Sequence, residues 1–434
     1  MKALLKSFAA GIIALALAGV SSAQTVIRIS GSTAFRAALN NAIVDIMSPG
    51  YFVAGSGSKL TNSTQLVVVG NTKVGNYPVV IKTSLQGSVG GIQSVAQQSP
   101  QIVFQGTSGW LQTSLATTTA GNFAATNNQY TDPAAPADIC LADSYQASSF
   151  AYGPGYTTLV DQLVGVVPFF WVMGCSKDSA VQTSLSSVTN ITSLQIKLLL
   201  SSGAPLSVLS GNPADATVTL YPVGRDEDSG TRLDAFAESG FGVFGSPVQY
   251  IAGVGGAISN NIPSSVTVPT TPTSTITGIM PYPANSVNGF SFPVGHSGYK
   301  SGGTLANVIF QPVDASARDQ FGGKFALISY LGAGDAQTAI GSGSTAFILN
   351  YNGVSGQLSA TNDPIPASAT NITDGAYTFW SYEHLDYLPT LSGPAKTVAN
   401  QLVQTIITDA HYSGVSLTSM NVSRSVEGGV INHN

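Results

Sequence analysis

The chain has 434 residues, long enough for two folding units because a single hydrophobic core stops growing near ~250–300 residues. Hydrophobic residues make up 43% of the chain and support a packed core, while 47 glycines and 22 prolines favour turns and argue against a helical bundle. Charged residues make up only 9%, the formal net charge is −5, and no basic face is available for nucleic acid.

The first 23 residues predict a signal peptide. Lys2 and Lys6 form a basic start, residues 8–20 an apolar middle, and Ser21-Ser22-Ala23 a small-residue cleavage site. The apolar run is too short for a comfortable membrane span, and no later stretch resembles one. No cysteine follows the cleavage site, so a lipid anchor is not expected. We therefore expect a periplasmic or secreted protein that does not span a membrane.

The first predicted strand, Thr25–Ser30, ends in a Gly-Ser-Thr-Ala-Phe loop that opens a helix running to about Met47. Ser32 and Thr33 therefore lie at a helix start, where unpaired N–H groups attract anions. Ordinary capping of the helix is the alternative interpretation.

Two further strands, Leu66–Val69 and Val79–Thr83, precede a glycine-rich loop, Gly87–Gly91, that leads into the next helix. Ser88 is the hydroxyl donor that this loop offers. A later strand ends at Asp143, which either caps the following turn or faces a ligand.

Strands alternate with helices along the rest of the chain, which predicts an α/β fold with mostly parallel sheets. The remaining predicted elements are strands Asp138–Ala142, Val164–Met173 and Phe325–Leu331, helices Ser193–Ser201 and Ala395–His411, a helix start at Gly302–Phe310, and insertions Phe104–Pro136, Val254–Thr277 and Ile340–Asn371.

The stretch Thr217–Ala237 combines a strand, a polar loop and a helix. Asp228 or Ser229 is suited to cap this helix, and Gly230 allows close approach of a ligand to the backbone. Arg225 can supply a two-pronged charged contact, so the loop is a candidate anion site. A capped turn with an exposed arginine is the alternative.

No pattern indicates catalysis or a cofactor. The four histidines lack metal-binding spacing, and neither a G-x-S-x-G elbow nor a nucleotide-binding lysine loop is present. Glu383-His384 lies in an aromatic stretch and is interpreted as part of a structural core or an interdomain patch rather than as a catalytic base. We therefore expect a protein that is not an enzyme, without a cofactor.

The only two cysteines, Cys140 and Cys175, form an even pair in a chain predicted to be exported. Such a pair favours a disulfide, and two buried free thiols are the alternative.

Six segments resemble, in order, motifs of the phosphate-binding proteins that serve bacterial ABC phosphate importers. The main one is Arg225-x-x-x-Ser229-Gly230-Thr231, which is similar to the family's R-x-D-x-S-G-T signature. The others are Ser30–Phe35, Gly87–Ile92, Asp138–Asp143, Val164–Val172 and Phe325–Ala336.

The resemblance implies a two-lobed periplasmic-binding-protein-like fold with a ligand cleft between the lobes. It places residues 24–165 and 325–434 in a discontinuous first lobe and residues 166–324 in a second. It also implies phosphate or a related oxyanion as the ligand and an ABC importer membrane component as a partner. The implied ligand-binding residues are Ser32, Thr33, Ala34, Ser88, Asp143, Arg225, Ser229, Gly230 and Thr231.

The sequence departs from the family within the signature. Three acids, Asp226, Glu227 and Asp228, stand where the family has one, and Glu227 occupies the position of the aspartate that pairs with the arginine. Asp228 replaces a usual glycine and repels a nearby anion. An extracellular or surface protein that kept the fold and lost or changed its ligand is therefore the second hypothesis.

Overall fold

The computed structural model describes residues 24–57, 59–98, 102, 104, 124–125, 132–255, 266–267, 274–287, 290–361 and 363–434. The predicted signal peptide lies outside these residues. Most of two predicted insertions, 104–136 and 254–277, also lies outside them.

A twelve-stranded sheet runs through the molecule. Its strands are β1 (Thr25–Gly31), β2 (Phe52–Gly55), β3 (Gln65–Asn71), β4 (Pro78–Ser84), β5 (Ala124–Ala125), β6 (Ile139–Ala142), β7 (Val160–Met173), β8 (Ala204–Pro205), β9 (Val218–Pro222), β10 (Lys324–Gly332), β11 (Phe347–Ile348) and β12 (Trp380–Tyr387). The strand order is β8-β9-β10-β7-β12-β6-β1-β4-β3-β2-β5, with β11 beside β7.

Helices pack on this sheet, so the predicted α/β class is confirmed. They are α1 (Arg36–Asp45), α2 (Ser88–Gln97), α3 (Ser179–Ser186), α4 (Ser193–Ser202), α5 (Ser207–Ser210), α6 (Gly230–Glu238), α7 (Gly302–Phe310), α8 (Ala333–Ala339), α9 (Thr370–Thr373) and α10 (Gly393–Asp409). Short two- and three-stranded pairings lie outside the large sheet and involve Tyr250–Gly255 with Gly278–Pro281 and Val266–Thr267, Asn285–Val287 with Phe290–Phe292, Cys175–Ser176 with Pro312–Val313, Asn190–Ile191 with Asn350–Tyr351, and Val422–Ser423 with Asn432–His433.

Parallel pairs bring the polar loops to one region. Strand β1 is parallel to β4 and β6, and β9 is parallel to β10. The carboxyl ends of β1 and β6 therefore meet at the same edge, where the following helices begin. Antiparallel pairs link β7 and β12 to each other and to their outer neighbours β10 and β6.

The long strand β7 joins two parts of the sheet. Residues 160–168 pair with β12, and residues 169–173 pair with β10. Pro168 lies where the strand changes partner, a position that tolerates its missing N–H. The adjacent Phe169 and Phe170 are fully buried, and helix α10 covers β7 with a buried face that includes Leu402.

The predicted disulfide is wrong, because both thiols are free and buried. Cys140 on β6 is linked through register partners to Asp161, near the start of β7. Cys175 lies just beyond the other end of this 14-residue strand, roughly 40 Å away at ~3.3 Å per residue. The two sulfur atoms therefore cannot meet, although their number and the predicted export favoured a bridge.

Within the part of the chain that the structure describes, no helix combines the length and apolar character needed to cross a membrane.

Candidate functional site

The loop after β1 is held tightly against the end of β6. The Ser32 N–H donates to the Leu141 carbonyl at 2.8 Å. Gly31 has φ +118°, and a Cβ there would overlap the same carbonyl oxygen, so the position requires glycine. The Ser32 hydroxyl accepts the Ala34 N–H at 3.2 Å, and Ser32 and Thr33 are both buried.

The start of α2 joins the first loop to Asp143. The Gly87 N–H donates to the Gly31 carbonyl at 2.9 Å, which places Ser88 beside the end of β6. The Ser88 hydroxyl donates to Asp143 Oδ1 and accepts the Asp143 N–H at 3.2 Å. Asp143 therefore faces the start of α2.

The central loop leads from β9 into α6. Ser229 is the N-cap, because its hydroxyl accepts the Arg232 N–H at 3.3 Å, as the sequence predicted for Asp228 or Ser229. The Thr231 hydroxyl in the first turn donates to Asp143 Oδ2 at 3.1 Å. The structure thus brings Ser88, Asp143 and Thr231, from three separate loops, to one point.

The central loop touches Asp143 and the start of α2 directly through Gly230 and Asp228. A Cβ on Gly230 would overlap Asp143 Oδ1 and lie 2.9 Å from Ser88 Cβ. The Val89 N–H donates to the Asp228 carbonyl at 2.9 Å. These contacts leave no space between the loops for even one methyl group at Gly230.

Internal carboxylates lie at three helix starts in this region. Asp143 faces the first residues of α6. A Cβ on Gly90, in the first turn of α2, would lie 3.0 Å from Asp228 Oδ2. A Cβ on Gly302, at the start of α7, would overlap Asp335 Oδ2. Because helix starts favour negative charge, these carboxylates stand where a bound anion would be stabilised.

Arg225 is 2% exposed and its guanidinium is fixed by backbone carbonyls. Its Nε donates to the Tyr299 oxygen at 3.0 Å and its Nη2 to the Lys300 oxygen at 2.9 Å. Its Nη1 lies 3.3 Å from the position that a Cβ on Gly302 would take, so the group reaches the start of α7.

The pairing of Arg225 with Glu227 that the resemblance implied is wrong. Glu227 Oε1 lies 3.7 Å from Arg232 Nη1, and Oε2 accepts the Ser297 hydroxyl at 2.9 Å. The reason is that α6 turns Arg232 back beneath the loop, where its Nη1 also donates to the Arg225 carbonyl at 3.1 Å.

Burial shapes the ionisation of the loop acids. It raises the pKa of Asp143, while hydrogen bonds from Ser88 and Thr231 oppose the shift. Burial also raises the pKa of Asp226 to about 7, against the lowering effect of Arg225. Burial and the neighbouring acids Asp226 and Glu227 raise the pKa of Asp228 well above its usual range. Burial therefore disfavours the charged form of each of these three acids.

Two acids near the site were not assigned to it by sequence reasoning, although Glu383 was named as a structural residue. Glu383 on β12 is fully buried, and burial together with the Asp143 charge raises its pKa well above its usual range. Asp335 in α8 pairs with Arg36, Oδ1 to Nη2 at 2.9 Å. Both lie in segments noted in the sequence, but only the position of β12 beside β6 and of α8 beside α1 places them here.

A cavity of about 220 Å³ lies against the other side of the central loop. Ser229, Arg232 and His296 line it together with four phenylalanines, Phe150, Phe244, Phe290 and Phe292. The start of α6 therefore borders both the packed carboxylate contacts and a space with aromatic walls.

No protein-family model matches the sequence, and no curated protein matches it significantly. Similar solved structures include a putative phosphate ABC transporter substrate-binding protein with bound phosphate from Clostridium perfringens (15% identity, 89% of this chain and 98% of that chain, TM-score 0.41). A second is an ABC-type phosphate transport receptor from Vibrio cholerae (12% identity, 90% of this chain and 99% of that chain, TM-score 0.41). A third is a phosphate-binding protein from Stenotrophomonas maltophilia (15% identity, 94% of this chain and 87% of that chain, TM-score 0.33). These are proteins of the class that the sequence motifs resemble.

Proposed function

We propose that the protein is an exported solute-binding protein that holds phosphate or a related small oxyanion where the loops after β1, β4, β6 and β9 meet. The observation that carries this proposal is the convergence of Ser88, Asp143 and Thr231 beside the buried Arg225. Hydroxyl donors, helix starts and one fixed guanidinium together are the groups that replace water around an anion.

The anion enters in this proposal by replacing internal contacts. The Ser32 to Ala34 loop and Ser88 meet it from one side, and Arg225 with the Ser229–Thr231 turn meets it from the other. Opening separates Thr231 from Asp143, so ligand binding closes a hinge between residues 24–165 with 325–434 and residues 166–324. An ABC importer membrane component is the partner that such a closed form would serve.

Asp143 selects the ligand in this proposal. Phosphate near neutral pH carries a proton that a carboxylate can accept in a hydrogen bond, whereas sulfate carries none. Asp143→Asn should therefore narrow the difference in affinity between phosphate and sulfate.

A second candidate function is an extracellular protein that has kept the fold and lost its oxyanion. The observation that favours it is the Asp228 carboxylate on the first turn of α2, a negative group where the family has glycine. In this candidate the internal carboxylates take the place of the ligand permanently.

Calorimetric titration with phosphate, sulfate and arsenate separates the two candidates. Wild-type protein should bind phosphate, and Arg225→Ala should lose about 3–5 kcal/mol of binding free energy, as when a buried ion pair loses one partner. Arg318→Ala is the matched control, because that guanidinium also donates to backbone carbonyls, those of Ala315 and Ala317. Absence of heat with all three anions would refute oxyanion binding.

The Asp228→Asn variant provides a second test between the two candidate functions. At a pH high enough to ionise Asp228, removal of its charge at the start of α2 should strengthen phosphate binding if the anion occupies this site. A variant that still binds no anion would support the second candidate.

A further inference from the structure

Three side chains of metal-binding type lie together on the face of β12 opposite Glu383. Asp386 on β12 is in register with Asp161 on β7, and His384 lies two residues away on the same face. One ligand atom from each of the three lies within 4.8 Å of the others. The closest pair is His384 Nδ1 and Asp161 Oδ1, 2.8 Å apart.

The buried members of this cluster lack ordinary hydrogen-bond donors. Asp386 is 2% exposed, and the contact that its carboxylate makes among the described residues is with the Cys140 thiol, 4.0 Å from Oδ2. His384 is fully buried, and its Nε2 has no hydrogen-bond partner there. A carboxylate removed from water needs a cation or strong hydrogen-bond donors beside it. One histidine between two carboxylates is not enough to satisfy both of them.

The surroundings leave the cluster reachable. The Asp161 side chain is 41% exposed, so solvent meets the ligand atoms from one side. The ring of Tyr145 packs edge-on against His384 with centroids 4.4 Å apart, and Glu427 adds a further negative group nearby. The Tyr145 ring packs the imidazole in place, and the charge of Glu427 favours a cation.

We propose that Asp161, His384 and Asp386 bind a divalent transition metal ion, with Zn²⁺ as the ion that matches them best. One imidazole nitrogen and two carboxylate oxygens form a known type of three-ligand zinc set, with water in the fourth position. Tetrahedral bonds of ~2.0–2.2 Å separate ligand atoms by roughly 3.3 Å, which small side-chain rotations reach from the present distances. An imidazole ligand and few oxygens argue against Ca²⁺ and Mg²⁺.

The ion would link the two strands that join the parts of the sheet. Asp161 belongs to β7, and His384 and Asp386 belong to β12. His384 Nδ1 would give up its hydrogen bond to Asp161, and both groups would bind the metal instead. The proposal is independent of the oxyanion, because the ligands lie on the opposite face of β12 from Glu383 and involve none of the loop residues.

The test is titration of the full chain, freed of metal by a chelator, with Zn²⁺ in buffer without phosphate. We expect one strong site per chain and a higher thermal midpoint with Zn²⁺. Asp161→Asn changes the most exposed ligand, so the fold should survive, and it should weaken Zn²⁺ binding at least tenfold. Even mutation of residues that hydrogen-bond to metal ligands, without binding the metal themselves, typically weakens metal affinity by about 10–100-fold.

Asp363→Asn is the matched control, because Asp363 is an exposed acid 3.9 Å from the exposed His411. It should bind Zn²⁺ as the wild type does, and so should Arg225→Ala, which separates this result from any failure of oxyanion binding. Absence of Zn²⁺ binding in the wild type would overturn the proposal. Unchanged affinity in both Asp161→Asn and Asp386→Asn would overturn it as well.

Discussion

Two groups of buried acids lie close together in the same sheet, and they differ in what surrounds them. At the loop site, Asp143 accepts hydrogen bonds from the hydroxyls of Ser88 and Thr231. On the other face of β12, Asp386 faces a second carboxylate, an imidazole and a thiol. Asp143 is thus satisfied by hydroxyl donors of the chain itself, while Asp386 accepts from a weak thiol donor and still needs positive charge.

The comparison shows that burial alone does not define the role of an acid. At the loop site, several helix starts converge and supply more hydrogen-bond donors than one carboxylate can use. The region therefore suits a negative group, whether a carboxylate of the chain or a bound anion. At Asp386, on the opposite face, the backbones of β6 and β7 pair with that of β12 in the described sheet, and no helix start contributes donors as it does at Asp143. A metal ion is the partner that such a face can accept.

The contact at Gly230 gives the largest expected effect. Gly230→Ala places a Cβ on Asp143 Oδ1 and forces α6 away from the loops after β4 and β6. We expect a loss of about 1–3 kcal/mol in the free energy of unfolding, as for other overpacked sites, together with loss of phosphate binding. Urea unfolding and calorimetry measure the two effects.

Gly334→Ala is the control, because Gly334 lies in the first turn of α8 with nothing within 4 Å of its added Cβ. It should leave phosphate binding unchanged and alter stability by less than ~1 kcal/mol. Equal stability of the Gly230 and Gly334 variants would show that the loops are not packed as described.

Replacement of aspartate by asparagine should change the free energy of unfolding in opposite directions at Asp143 and at Asp386. Asp143→Asn weakens two charge-assisted hydrogen bonds and should cost about 1–3 kcal/mol of stability. Burial raises the pKa of Asp386 to about 7, so this group is charged at an energetic cost at pH 8. Asp386→Asn should therefore stabilise the metal-free chain by on the order of 1 kcal/mol at that pH.

Urea unfolding at pH 8 in the presence of a chelator is the measurement for this pair. If both variants lose stability to the same extent, the contrast between satisfied and unsatisfied acids fails.

The smallest expected effect is a gradual change in the free energy of unfolding with pH. Burial raises the pKa of Asp226 to about 7, above the ~3.9 of an unfolded chain, so the folded state binds more protons in between. Stability should therefore fall as pH rises from about 4 to about 7, and Asp409, with a pKa raised to about 6 by burial, contributes in the same direction. Melting temperatures measured from pH 4 to pH 8 check this trend.

Asp226→Asn should reduce the slope, whereas Asp363→Asn, at an exposed acid with no comparable burial, should not. A melting temperature that rises between pH 5 and pH 7 would contradict the expected ionisation of the loop acids.

Local patterns in the sequence determined the elements and the positions of the loops. The strand Thr25–Gly31 with the helix after it, and the N-cap Ser229 at the start of α6, follow from side-chain periodicity and short-range hydrogen bonding. These depend on residues a few positions apart, and the sequence states them directly. The α/β class follows from the same alternation.

Tertiary structure alone decided which distant side chains meet. The length of β7 keeps Cys140, level with its start, from Cys175 beyond its end. The insertion of β12 between β6 and β7 puts His384 and Asp386 beside Asp161. The path of α6 places Arg232, rather than Arg225, beside Glu227. Strand order and register among segments hundreds of residues apart depend on packing of the whole sheet, because no local spacing records which strand will be the neighbour of which.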